Sequence, residues 1–465
     1  MPSKQRGRLS DTSGCAYASP NDNTMQQVPA SLLRLSRIPF VRDVTTLQAG
    51  TWLTMIMQFA SSIVLARVLG ARAVGLYALT FTIVGTVGML TDLGQNYSVT
   101  TLLPEAYGKR SKQEVEEVIA YFVRIALWWV FPITILLVVC TPWLIERFYP
   151  GNDIVILVRL ALVTLLFLPA HDLVTLALQG ARKIPALMRT ELLYNILDLG
   201  LPLAMLFWER SVTALVLGRL IAAATKAGIS LLLWRGNLRT DPLMPSLRVV
   251  LRSLPSIPKR RGLSLGLWIA ADKQMSKLAN YIPNYLLALF GSATTVGQYR
   301  YMLAYLQLSL MFSTNVGRMM GSVLPFLHIT NAQRMRKAFW KGSIGNLIIT
   351  YTLLIPLVML GNRGLVFLYG TEFAVPSVIF PLMLIIGLDA ITVGFSSIYR
   401  IHRALYLTIW LQFASVGSGL LVWWFAQPRV GAFIATVLYL VAASLVSKLC
   451  HAVNFHIIRS KEEPA

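Results

Sequence analysis

The sequence predicts an all-α integral membrane protein, with about 12 transmembrane helices in two six-helix lobes related as a parallel tandem repeat. Three observations lead there. The 465 residues are 55% hydrophobic and 13% charged, with a mean hydropathy of +0.62, values that a fully water-exposed surface does not allow. Apolar windows of about 20 residues, the length that crosses roughly 30 Å of hydrocarbon, recur along the chain. One corner is also written twice, as VLGARAVGLY (68–77) and, some 221 residues later, as ALFGSATTVGQY (288–299).

The first 44 residues are polar and basic, with Lys4, Arg6, Arg8, Arg34, Arg37 and Arg42. They lack the apolar core and small-residue cleavage site of a signal peptide and are expected to form a disordered cytosolic tail, with Met25 an alternative start. Six windows near 45–66, 74–99, 118–142, 154–179, 188–208 and 211–233 make an N-lobe over 45–234. A basic linker at 235–262 carries Pro242, Pro245, Pro255 and Pro258. Its Leu243, Leu247, Val250, Leu251 and Leu254 share one helical face, so it either lies on the inner membrane surface or is an unstructured tether. Six more windows near 264–290, 295–324, 339–361, 375–399, 405–426 and 430–453 make a C-lobe over 263–455, and 456–465 is a second cytosolic tail.

The repeat extends beyond the corner. The helix after it ends in Leu102-Leu103-Pro104 in one copy and Val323-Leu324-Pro325 in the other. Each is followed by a helix start with capping-box spacing, Ser111 with Glu114 and Thr330 with Gln333. RFYPG (147–151) is answered by FLYGT (367–371). Six is even, so both halves insert with the same orientation, and parallel repeats of this kind place a substrate site at their interface.

Lys and Arg in short loops favour the cytosolic side. With the N-terminus inside, the inner loops hold Lys109, Arg110 and Lys112, then Arg182, Lys183 and Arg189, the basic linker, Arg334, Arg336, Lys337 and Lys341, and finally Arg400 and Arg403. The outer loops hold few cations, which predicts both termini in the cytoplasm. The net charge of +22 is thereby largely assigned to topology. Trp128, Trp129, Trp143, Trp208, Trp234, Trp423 and Trp424 fall near helix ends as an interfacial belt. Cys15, Cys140 and Cys450 lie far apart with no metal-type spacing and read as packing residues.

Ionisable groups inside hydrocarbon cost on the order of 2.5 to 3.5 kcal/mol each by insertion scales, so they face a cavity or a partner. Lys273, Lys277, Asn280 and Asn284 repeat at helical spacing on one stripe of the seventh window, expected to line a cavity. Arg124, Arg159, Arg219, Arg300 and Arg318 are further embedded cations that complete a candidate substrate-binding set. Asp172, Asp198, Asp272 and Asp389 are candidates for ion coupling or for pairing with a cation. His171 beside Asp172 reads as a relay or as a satisfied interior histidine. A cavity of net positive charge suits phosphate, diphosphate or carboxylate groups, which Arg and Lys bind with charge-assisted hydrogen bonds. A GxxxxGK[ST] phosphate loop, a DxD pair and a soluble insert large enough for a transferase domain are all absent, so catalysis is not expected.

The segments LARVLG (65–70), AVGLY (73–77), TDLG (91–94) and LPE (103–105) are similar to the first helical pair of bacterial polysaccharide flippases, the Wzx-type O-antigen and exopolysaccharide translocases. ALQGARK (177–183) resembles that family's fourth-to-fifth helix junction, and FLYGTEF (367–373) its entry to the tenth helix. The resemblance covers 45–455 in motif order, helix count and loop charge. It places the chain in the multidrug, oligosaccharidyl-lipid and polysaccharide exporter superfamily. It implies two lobes around a cleft, alternating access, and a substrate of one oligosaccharide repeat unit on undecaprenyl diphosphate. Individual lumen residues are not carried over, because their positions vary within the family. The first window offers Gln48, Thr51, Thr54, Gln58, Ser61 and Ser62 but no acid, unlike cation-coupled drug exporters. The expectation is a flippase of the bacterial inner membrane, working with the bilayer and with a polysaccharide polymerase and chain-length regulator. No cofactor, metal or nucleic acid is expected. An ion-coupled exporter of a small anionic solute is the alternative.

Overall fold

Within hydrocarbon every backbone N–H and C=O must find its partner inside the chain, so the apolar windows fold as helices. The computed structural model describes residues 39–149, 154–236, 241–254, 263–311, 332–402 and 404–462, with 313, 316, 317, 319, 320, 323, 324 and 327. Residues 47–465 form one compact unit; of the unit before it only 39–46, helical, are described.

Pro39–Thr91 bends at Gly70 (φ 75°) into α1 (39–69) and α2 (71–91). Asp92 to Gly94 interrupt the helix before α3 (Gln95–Gly108). α4 (Lys112–Ile125), a π-helical turn over Ala126–Val130 and α5 (Phe131–Phe148) continue as one rod. Its start is capped by Ser111, whose hydroxyl accepts from the Glu114 N–H as the spacing predicts. α6 (Val155–Gly180), α7 (Ile184–Trp208) and α8 (Val212–Arg235) complete the first six spans.

The linker holds the short α9 (Leu247–Ser253). α10 (Leu263–Phe290) is followed by α11 (Ala293–Gln307), which ends in a 3-10 turn at Leu308–Leu310. Ala332–Tyr369 divides at Gly361 into α12 (332–360) and α13 (362–369). α14 (Ile379–Gly387) and α15 (Phe395–Ile401) are joined through a 3-10 turn at Leu388–Thr392. Leu405–Glu462 divides at Gly431 into α16 (405–430) and α17 (432–462). Leaving out the short α9 and α13, and counting α2 with α3, α4 with α5, and α14 with α15, the described helices make the expected two sets of six spans, 12 in all. Among the described residues eight helices are long and apolar enough to cross a membrane; two of these, Gly50–Thr91 and Tyr406–His456, have 42 and 51 residues and so contain two crossings each.

Large apolar side chains stand on the outside, Trp208 at 90% exposure and Met359 at 82%, with Phe367, Trp128 and Trp410 close behind. Such a surface is tolerated where the solvent is lipid. Trp234 and Trp423, expected in the interfacial belt, are instead buried, and the Trp423 Nε1 donates to Thr436 Oγ1. The linker is not an unstructured tether. Val250 of α9 is fully buried with Met244 in a cluster that includes Val115, Val118 and Tyr121, and the Lys183–Asp241 ion pair (3.2 Å) fastens the segment to the N-lobe, while Leu251 of the predicted face stays exposed.

The two copies of the repeated corner pack on each other. A Cβ on Gly75 would lie 1.6 Å from the Ala293 carbonyl oxygen, and one on Gly297 would lie 2.0 Å from the Ala71 carbonyl oxygen. Only glycine permits helix backbones to approach so closely. The end of the molecule that carries these corners, with Gly361 and Gly431, is called the corner end below; the opposite end carries the basic loops. Side chains sew the lobes together at the corner end. Arg67 donates to the Phe367 and Leu368 carbonyls, and Glu372 accepts the Ala71 N–H (2.9 Å) at the start of α2. Thr330 and Gln333, the expected second capping box, cannot be compared, since Thr330 lies outside the described residues.

Candidate functional site

The second apolar window reads as one helix, yet it breaks at Asp92-Leu93-Gly94. Gly94 adopts φ 74°, a left-handed conformation natural to glycine. Its N–H donates to Asp92 Oδ1 (3.0 Å), an Asx turn that replaces the lost helical bond. Gln274 Nε2 on α10 donates to Asp92 Oδ2 (3.1 Å), tying the break to the other lobe. Farther toward the corner end, Asn284 Nδ2 donates to Thr82 Oγ1 (2.9 Å) and the Tyr285 hydroxyl meets that of Thr86 (2.6 Å).

Beside the break lies a cavity of ≈ 290 Å³, walled by α2 and α3, by Val130 of the π turn, by α6 and by α10. Its polar lining includes Asp92, Gln95, Asn96, Asp172, Lys277 and Tyr281. π turns inside helices recur at functional sites, because they re-aim the side chains on either side. Asn96 Nδ2 donates to Asp172 Oδ2 (3.2 Å), and His171 Nδ1 contacts Asp172 Oδ1 (2.8 Å). The His171 ring lies against Tyr194, whose hydroxyl meets Ser230 (2.6 Å). Lys277 is exposed to the cavity and acts electrostatically on Asp92, but no ion pair within 4.0 Å joins them.

The predicted stripe on α10 therefore divides. Lys277 reaches the cavity, Lys273 is half-buried one turn before it, Asn280 is exposed and donates to the Ser276 carbonyl, and Asn284 is buried as a structural partner of α2. Arg300 is exposed on α11. Arg159 is half-buried with its Nε unpartnered. Arg219 donates to the Tyr77 hydroxyl (3.0 Å) and covers the Phe81 ring, inside the N-lobe. Arg124 closes α4 just before the π turn, with an interaction of its own. Arg318 lies outside the described residues.

Among the acids, Asp198 pairs with the buried Lys226 (2.7 Å), Asp389 with Lys448 (2.6 Å), and Asp272 accepts from Thr408. Of the four only Asp172 opens on the cavity, where it is joined by Asp92, the acid of the TDLG segment (91–94). Its signal was available: Asp-x-Gly inside an apolar run. Among the described residues no group of three or more His, Cys, Asp or Glu converges as for a transition-metal ion.

Two lobes of six helices, closed on each other at one end around paired glycine corners, with charged groups in the membrane interior, define a transporter fold. The arrangement is similar to a multidrug resistance MATE family transporter of the MOP superfamily in an inward-facing conformation, with TM-score 0.71 and 15% identity over 88% of this chain and 96% of that one. It is also similar to a MOP superfamily transporter from Pyrococcus furiosus described as having a binding pocket of reversed polarity, with TM-score 0.65, 14% identity, and 91% and 96% coverage. An outward-facing MATE structure matches with TM-score 0.60, 15% identity, and 90% and 96% coverage. No curated protein matches. The family model described as polysaccharide biosynthesis protein matches residues 40–330, more than half of the chain, and the chain belongs to that family. It is a multi-pass membrane protein of polysaccharide biosynthesis with the fold of MOP superfamily transporters.

Proposed function

We propose that this protein is a flippase that moves undecaprenyl-diphosphate-linked oligosaccharide repeat units across the bacterial inner membrane. The observation that carries the reading is Lys277, a cation on a membrane-spanning helix, exposed to an interior cavity at the interface of the lobes and without an ion-pair partner among the described residues. A polysaccharide precursor crosses a membrane as a lipid-linked anion, and an ammonium within the membrane interior is a natural counter-ion for its diphosphate. Lys273 and Arg300, on the same pair of helices, extend the cationic wall, and Arg124 and Arg159 supply further charge from the N-lobe. The glycan travels in the hydrated gap between the lobes while the polyprenyl chain stays in lipid at a lateral opening. Rocking of the lobes about their packed corners alternates access.

The basic loops face the cytoplasm in this reading, so the corner end, where the lobes close on each other, faces outward. Polymerase and chain-length regulator take up the flipped unit. Replacing both Lys273 and Lys277 with Ala is expected to abolish surface polysaccharide while the protein still inserts, measured as polymer on the cell and as protein in membranes. Normal polymer in that variant refutes the cationic path.

A further inference from the structure

Beside the helix break, buried amide oxygens stand without partners among the described residues. Gln95, in the cavity lining, is 5% exposed, and its Oε1 has no hydrogen-bond partner among them. Asn96 Oδ1 and Gln274 Oε1 are likewise buried and unpartnered. The orientation of the last two amides is fixed, because their nitrogens donate to Asp172 and Asp92, and ionised carboxylates only accept. Their oxygens must then point elsewhere. Asp92 and Asp172 add two carboxylates to the same lining, against which Lys277 supplies one positive charge. Interruption of a membrane helix also presents the carbonyl end of α2 at this depth, the arrangement by which broken helices hold small cations.

We propose that the cavity between α2, α3, α6 and α10 is a sodium site, built from the carboxylates of Asp92 and Asp172 and the amide oxygens of Gln95 and Asn96. Hard monovalent cations take oxygen ligands, and a mixed set of carboxylate and amide oxygens is that chemistry. Lys277 is the tethered competitor. When its ammonium turns toward Asp92 it opposes sodium, and when it turns toward an anionic substrate the sodium site is relieved. The two ligands thus bind with mutual support through one side chain. The sodium assignment stands on the orphaned oxygens and does not depend on the identity of the glycan.

The test is equilibrium binding of ²²Na⁺ to the purified full-length protein in detergent. One saturable site is expected, displaced by unlabelled sodium but not by choline. Gln95→Leu and Asp92→Asn are expected to weaken it at least tenfold, and Lys277→Met to tighten it. Asp241→Asn, in the linker, leaves it unchanged. Gln95→Leu spares the Asx turn, so it remains informative where Asp92→Asn does not fold. Absence of sodium binding in both the unaltered protein and Lys277→Met overturns the proposal, as does unchanged affinity in Gln95→Leu. Loss of polysaccharide in Lys277→Met with tightened sodium binding separates failure of transport from failure of this site.

Discussion

Gly75 offers a direct test of the closed corner end. In Gly75→Ala the new methyl would sit 1.6 Å from the Ala293 carbonyl oxygen, about 1.8 Å short of the 3.4 Å at which ordinary contact begins. The obstacle is backbone rather than a flexible side chain, so no rotamer change relieves it, and α2 and α11 must separate. Overpacking of this kind costs about 1 to 3 kcal/mol. Between two conformations, that energy on one side shifts the ratio by roughly 5- to 150-fold. The substitution therefore depopulates the state closed at this end. Spin labels on Arg147 and Arg363, both exposed near that end, placed in a background with Cys15, Cys140 and Cys450 replaced by Ser, report the separation by double electron–electron resonance. The distance distribution is expected to shift to longer values, and Gly297→Ala to act the same way, since its Cβ would meet Ala71 at 2.0 Å. Unchanged distances in both variants, with an unchanged melting temperature, refute the close approach.

Two further substitutions probe the N-lobe. Lys226→Met leaves the half-buried Asp198 without its partner and is expected to destabilise the protein by about 1 to 3 kcal/mol, whereas Lys226→Met with Asp198→Leu recovers most of that, both read as melting temperature. Gly94→Ala places a side chain at φ 74° and is expected to cost about 1 to 2 kcal/mol. It also displaces Asp92 from Gln274, so that sodium binding weakens more than the loss of stability alone explains.

Much of the fold was legible because period and length dominate it: a run of about 20 apolar residues has few alternatives to a membrane helix. The duplicated corner was legible too, down to the glycines, though its consequence was not. That Gly75 and Gly297 meet each other requires knowing that the two copies face across an axis. The site was read less completely. Lys277 was placed in a cavity from its spacing alone, but Asn284, on the same stripe, proves to be a bonded partner of Thr82, since helical periodicity selects a face without saying what the face touches. Asp198 and Asp389 were recognised as acids with either of two roles, and in the structure both have lysine partners, Lys226 and Lys448, distant in sequence. The break at Asp92 is marked in the sequence only by Asp-x-Gly, a local signal that the apolar residues around it outweigh in the window's average.

The two repeats share an irregularity but not its chemistry. In the N-lobe, the helix after the corner breaks at Asp92-Leu93-Gly94; in the C-lobe, the corresponding helix α11 tightens into a 3-10 turn at Leu308–Leu310. Near the equivalent depth of the second copy stands Ser313, which accepts from Asn346 Nδ2 (3.0 Å), and that amide also donates to the Ala390 carbonyl. That knot is neutral, whereas its counterpart carries Asp92 and, across the cavity, Asp172. The cations Lys273, Lys277 and Arg300 stand on α10 and α11 instead. Around this cavity the two halves are therefore polarised, with Asp92 and Asp172 on the N-lobe wall and Lys277 on the C-lobe helix that faces it. In such a gap an anion on the basic wall and a cation on the acidic wall relieve each other's electrostatic cost. Separation of the walls with either ligand missing leaves buried charge uncompensated, which is a physical reason for the two to move together.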